Sequence, residues 1–113
     1  MSGKHSPKRG DIYWVNLEPA QGHESKKTRP GLVVSNNVGN EESKIIMIAP
    51  ITSKVLRVYP FEVCTSVDGK PAKIMLNQCR AVDISRLLRK IGTVDFEIMK
   101  AVEEAIKIVF ALS

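Results

Sequence analysis

A chain of 113 residues has the usual size of a single domain and is long enough to bury one core. Its apolar fraction of 43% and charged fraction of 26% match ordinary globular usage and exclude a disordered chain, a collagen-like repeat and a disulfide-dense miniprotein. Lys and Arg number 17 against 12 Asp and Glu, a net charge of +5 that suits a polyanionic partner without demanding one.

The first segment, residues 1–8 (MSGKHSPK), is small, basic and interrupted by proline, and reads as a flexible tail ahead of a single domain over 9–113. It lacks the apolar stretch of a signal peptide, and no later run approaches the ~18 apolar residues that would span a bilayer. Residues 11–17 (DIYWVNL) are β-branched and aromatic, which suits a first strand. Alternation puts Tyr13, Val15 and Leu17 on one face and Ile12 and Trp14 on the other. Residues 18–29 (EPAQGHESKKTR) show no apolar period and form a polar loop of a length that compact domains usually keep for function.

Strand signals follow at 31–35 (GLVVS), 45–51 (IIMIAPI) and 58–65 (VYPFEVCT), with a surface connection over 36–44 and a turn at Asp68-Gly69. Residues 73–83 (KIMLNQCRAVD) read as one strand with an irregularity near Asn77, its core positions Ile74, Leu76 and Cys79. Residues 84–90 (ISRLLRK) read as a short helix stopped by Gly92. Asp95 caps a helix from Phe96 to about Leu112, whose apolar positions make a face wider than a small sheet can cover. The whole is an α+β chain with a small curled sheet. Cys64 and Cys79 lack metal-ligand spacing and read as buried thiols in a reduced compartment, so neither a metal nor a cofactor is expected and the protein is placed in the cytoplasm.

Chemistry gathers in the polar loop, where His23, Glu24, Lys26, Lys27, Thr28 and Arg29 stand within seven residues. RNA cleavage without a metal needs a base for the 2′-hydroxyl, an acid for the leaving oxygen and a cation near the phosphorane. His and Glu move protons, and Arg offers paired donors to phosphate oxygens. A solvated loop charged for solubility fits the same composition. Arg29 precedes Pro30 and is therefore held extended at the mouth of a strand. Thr52 and Ser53 end a buried strand with two hydroxyls, suited to phosphate contacts or to capping a turn. Asn77, Gln78 and Arg80 interrupt an apolar strand and suit a base-reading groove or a solvent face. Trp14, among apolar neighbours, reads as core or interface before a stacking platform.

The succession of RGDIYWVNL, GHE, TRPGLVVS, IAPITS, YPFEV and NQCRAVD, followed by a C-terminal helix, resembles the MazF/PemK family over residues 9–112. That family comprises the toxins of type II toxin–antitoxin pairs, sequence-specific endoribonucleases also called mRNA interferases. The resemblance implies a small SH3-like β-barrel of the CcdB/MazF/PemK toxin fold, with a short helix and a C-terminal helix, paired as a homodimer. It implies metal-independent cleavage of single-stranded mRNA to 2′,3′-cyclic phosphate and 5′-hydroxyl ends, and neutralisation by an acidic cognate antitoxin. The family's catalytic arginine falls on Arg29, its threonine on Thr52, and the histidine some members use falls on His23, beside Glu24.

Lys26, Lys27, Thr28, Ser53, Asn77, Gln78 and Arg80 are the candidate RNA-binding positions. Members often carry an acid just before the Gln-x-Arg of NQCRAVD, where this chain has Asn77; proton transfer must then fall to another group or be slower. An arginine is a strong stabiliser of phosphorane charge and a poor proton donor, so Arg29 is assigned to charge, Thr52 to holding phosphate, and His23 or Glu24 to proton transfer. Two other readings share the fold: a non-catalytic toxin or binding module of the gyrase-poison kind, and a remnant that only binds an antitoxin.

Overall fold

The computed structural model describes residues 6–17 and 28–113. Seven strands, β1 (Asp11–Asn16), β2 (Thr28–Val33), β3 (Ile45–Thr52), β4 (Glu62–Val67), β5 (Lys70–Met75), β6 (Arg80–Asp83) and β7 (Leu87–Thr93), form one curled antiparallel sheet. Its order is β4-β5-β3-β2-β1-β7, with β6 paired to β3. Two helices complete the chain: α1 (Asn37–Glu42) between β2 and β3, and α2 (Phe96–Val109) after β7.

Two apolar clusters organise the molecule. On one face of the sheet Ile12, Leu32, Ala49, Ile51, Val63 and Ile74 pack with Leu76 and against Val102 and Ala105 of α2. On the other, Val33, Ile46, Ile48 and Val82 pack with Tyr13, Leu17, Ile84 and Leu87. Asp95 caps α2 as its side chain accepts from the Ile98 N–H at 2.9 Å. Asp11, buried at the start of β1, accepts from the Lys8 N–H at 2.9 Å and faces Lys90 Nζ of β7 at 3.3 Å, fastening the first strand to the last. Ordered contacts therefore begin inside the stretch expected to be a tail, where Pro7 is already buried.

Two expectations about elements are corrected, and the surface connection over 36–44 is refined. Residues 84–90 do not form a helix: Asp83 caps a single 3-10 turn over Ile84–Arg86, and Leu87 opens β7. Seven residues make a poor isolated helix, and pairing with the open edge of β1 supplies what local propensity cannot. The single strand over 73–83 is two strands, β5 and β6, parted by a 3-10 turn at Leu76–Gln78, where the irregularity was expected. The connection over 36–44 holds α1, capped by Asn36, whose side chain accepts from the Gly39 N–H. The thiols differ as well: both are free, but Cys64 is exposed and Cys79 half-buried, because alternation along β4 turns Val63 inward and Cys64 out. Burial pushes the Cys79 thiol above its ordinary pKa.

The Asp68-Gly69 turn joins β4 to β5 with both residues at positive φ, 54° and 76°, the backbone that a two-residue hairpin loop requires. In β3, Pro50 falls where the strand exchanges one neighbour for another: Ile45 to Ile48 pair with β6, and Ile51 and Thr52 pair with β5. A residue without an N–H is tolerated at such a handover.

Candidate RNA-cleavage site

The antiparallel register of β2 and β3 pairs Gly31 with Pro50 and Leu32 with Ala49, so Arg29, near the start of β2, and Thr52, the last residue of β3, lie at the same end of the two strands. Both line a cavity of about 580 Å³ together with Trp14, Thr28, Ser53 and Lys54. Both also line a second cavity, with Lys54, Glu62, Lys73 and Gln78. Arg29, Thr52 and Lys54 thus form a ridge with a hollow on either side.

Gly31 explains how the strand carrying Arg29 packs so closely. A Cβ at this position would stand 3.0 Å from Val15 Cγ2 and 3.4 Å from Ile48 Cδ1, so β2 lies against its neighbours only without a side chain. Thr52 is fixed by its own loop: its Oγ1 accepts from the Lys54 N–H at 3.2 Å. A hydroxyl that accepts this way keeps its proton to donate elsewhere.

The second cavity has a charged floor. Lys73 is 8% exposed, and its ammonium donates to Glu62 Oε1 at 2.9 Å and to the Arg57 carbonyl at 2.6 Å. It also lies 5.8 Å from the centre of the Tyr59 ring, itself stacked on Phe61. Burial pushes the Glu62 carboxyl pKa up, but hydrogen bonds from the Tyr59 N–H and from Lys73, with the charge of Lys73, outweigh it and hold the group below the ordinary glutamate value. Ammonium and carboxylate together tie the connection between β3 and β4 to β5, and that connection carries Ser53 and Lys54.

Of the expected site residues, the structure brings together Arg29, Thr52, Thr28, Ser53 and Gln78. The Gln78 amide donates to Met75 Sδ at 3.5 Å. Asn77 and Arg80 are exposed and line neither cavity. Asn77 falls on the 3-10 turn, and Arg80 opens β6 opposite Ile48. His23, Glu24, Lys26 and Lys27 lie outside the described residues. Trp14, expected in core or interface, belongs to neither cluster; it is half-buried and lines the larger cavity.

Lys54, Glu62 and Lys73 are site residues that sequence reasoning missed. The structure buries every residue from Ala72 to Leu76, and a lysine in such a run needs a partner. No helix among the described residues is long and apolar enough to cross a membrane.

A family model for PemK-like, MazF-like toxins of type II toxin–antitoxin systems matches residues 8–110. Endoribonuclease EndoA of Bacillus subtilis is 38% identical over 112 residues, covering 93% of this chain and 95% of that protein. Endoribonuclease MazF9 of Mycobacterium tuberculosis is 36% identical over 110 residues, covering 89% and 93%. The crystal structure of MazF from Deinococcus radiodurans superposes with a TM-score of 0.81 at 26% identity, over 96% of this chain and all of that one. A mycobacterial endoribonuclease in complex with its cognate antitoxin gives 0.81 at 20% identity over 96% and 98%, a likeness of fold. With the motifs around Arg29 and Thr52 in family order and the match spanning nearly every residue, the chain belongs to the PemK-like, MazF-like family of type II toxin–antitoxin toxins.

Proposed function

We propose that this protein is the toxin of a type II toxin–antitoxin pair and acts in the cytoplasm as an endoribonuclease. Its substrate is single-stranded mRNA, cut in a sequence-specific reaction without a metal. The observation that supports the reading is that Arg29 and Thr52, from adjacent strands, line the same two cavities, on a ridge that also bears Lys54.

In this mechanism the substrate's 2′-oxygen attacks phosphorus and loses its proton, the bond to the 5′-oxygen breaks, and that oxygen takes up a proton. The products are a 2′,3′-cyclic phosphate and a 5′-hydroxyl. Negative charge builds on the phosphorane oxygens, where the Arg29 guanidinium offers paired donors and Lys54 a second cation. The Thr52 hydroxyl donates to the same phosphate. His23 or Glu24 is assigned the proton transfers. Glu62 is unsuited to them, because a carboxylate held ionised by Lys73 is a weak base.

The antitoxin is a short acidic segment that covers this basic ridge, and its attraction weakens as salt rises. Two copies of the chain pair through the apolar surface that one sheet leaves open. The test is a long RNA incubated with pure protein in EDTA, with the ends of any fragments identified. Cleavage to cyclic-phosphate ends by the wild type, lost in Arg29→Ala, is expected. RNA left intact by a folded wild type would favour the non-catalytic module.

A further inference from the structure

The ridge of Arg29, Thr52 and Lys54 divides two cavities of different character. On one side are the charged and polar groups Glu62, Lys73 and Gln78. On the other, the larger cavity is walled by Trp14, Pro30, Ile51 and Pro71, with Asp68 and Lys70 of the β4–β5 turn beside them. A phosphodiester held on the ridge places the next nucleoside over that second hollow.

We infer that the Trp14 cavity is a base subsite, a reading that rests on the endoribonuclease function proposed above. It receives the unpaired base next to the scissile phosphate, stacked on the indole, with the Asp68 carboxylate accepting from the base's edge. Four features carry this. Trp14 is committed to neither apolar core, although it sits in mid-strand. Its partner across β1 and β2 is Pro30, and Pro71 lines the same cavity, so apolar rings stand beside the indole. About 580 Å³ is a volume in the range of small-ligand pockets. Single-stranded RNA is recognised by stacking splayed bases on aromatic rings and by hydrogen bonds to their edges.

Asp68 adds selectivity. A carboxylate accepts and never donates, so it favours guanine, whose N1–H and amino group donate side by side, over uracil, whose one N3–H lies between two carbonyl oxygens. Positive φ at Asp68 and Gly69 fixes the turn that presents it. Lys70, in the same lining, offsets its charge against the incoming phosphates.

Trp14 is the sole tryptophan of the chain, so emission from the unmodified protein reports on this cavity. A cleavage site is first mapped on a long RNA, and a 2′-O-methyl oligonucleotide spanning it, which cannot be cut, is titrated in. Binding is followed separately by anisotropy of the same oligonucleotide with an end label. Tryptophan quenching that saturates with the anisotropy is expected. Anisotropy that rises while emission stays constant overturns the subsite and leaves the cavity to some other occupant. A long RNA left uncut by the folded protein overturns the endoribonuclease reading and the subsite with it, whereas a mapped site whose oligonucleotide gives no anisotropy change overturns the subsite alone.

Variants give a second readout in single-turnover cleavage, with folding checked by circular dichroism. Trp14→Phe keeps a stacking ring and should stay within about threefold of wild type, whereas Trp14→Ala should lose about tenfold or more. Equal effects of the two would count against stacking. Asp68→Asn should change the order of rates among four oligonucleotides that differ only at the subsite base. A uniform change across all four would remove Asp68 from recognition.

Discussion

Arg29 and Lys54 are both cations on one ridge, and their substitution should separate stabilisation of the transition state from attraction for the ground state. If Arg29 meets charge that appears only in the phosphorane, Arg29→Ala should slow single-turnover cleavage by about 10²–10³ with RNA affinity little changed. Arg29→Lys should recover part of this, since an ammonium keeps the charge and loses the paired geometry. A rate within about threefold of wild type for Arg29→Ala would take it off the catalytic list. The Glu62–Lys73 pair makes a different prediction. Glu62 has its pKa depressed by folding, so its contribution to stability is present above the ordinary glutamate value of about 4.3 and fades as pH falls through the folded-state value. Thermal melts should show wild type above Glu62→Gln at pH 7, with the gap closing on acidification below about pH 4; a gap independent of pH would mean the carboxylate charge is immaterial. Arg29 and Thr52 are legible in the sequence because each stands at one end of a strand inside a recognisable motif. Glu62 and Lys73 are not, because they meet only through the β4–β5 register, which sets Glu62 against Met75 and Cys64 against Lys73.

Strands and the final helix were legible to different degrees, for physical reasons. Helix α2 announces itself by a long 3.6-residue apolar period and an aspartate cap, both local signals. The β4–β5 hairpin rests on a dipeptide that few other structures accept. By contrast β7 depends on a partner some eighty residues earlier in the chain, and its pairing with β1 slips twice, between Ile12 and Tyr13 and between Trp14 and Val15. Such slips erase the strict alternation by which a strand is read from sequence. The close approach of β2 to its neighbours yields a test at this scale. Gly31→Ala would place a methyl 3.0 Å from Val15 Cγ2, and the shift it forces should cost about 1–3 kcal/mol of stability. Chemical denaturation checks this, and an unchanged midpoint would show that β1 yields freely.

The molecule as a whole leaves much apolar surface open. Phe96 is 72% exposed, and Ile108, Phe110 and Leu112 more than half so, although α2 also contributes Val102 and Ala105 to the core. Helices that bury one stripe rarely leave so many large side chains in water, and exposed patches of this kind mark interfaces. The wide apolar face read from the sequence is therefore present, and only part of it meets the sheet. Light scattering at micromolar concentration should give twice the chain mass, and Phe110→Glu should lower it toward one chain. A monomeric wild type would leave the patch unexplained.

The fastening of the first strand to the last has a consequence for the protein's synthesis. A ribosome completes Arg29 and Thr52 long before it makes β7 and α2, yet Ile12 gains its partner Gly92, and the core gains Val102 and Ala105, only then. A nascent or prematurely ended chain carries Arg29 and Thr52 without the fold that holds them in place, and so should pose no threat to the message being read. A fragment ending at Val94 should show a disordered circular-dichroism spectrum and leave RNA intact. A folded, cutting fragment would show that β1 to β7 suffice without α2. On this topology the hazard of the protein begins only when its translation is nearly complete.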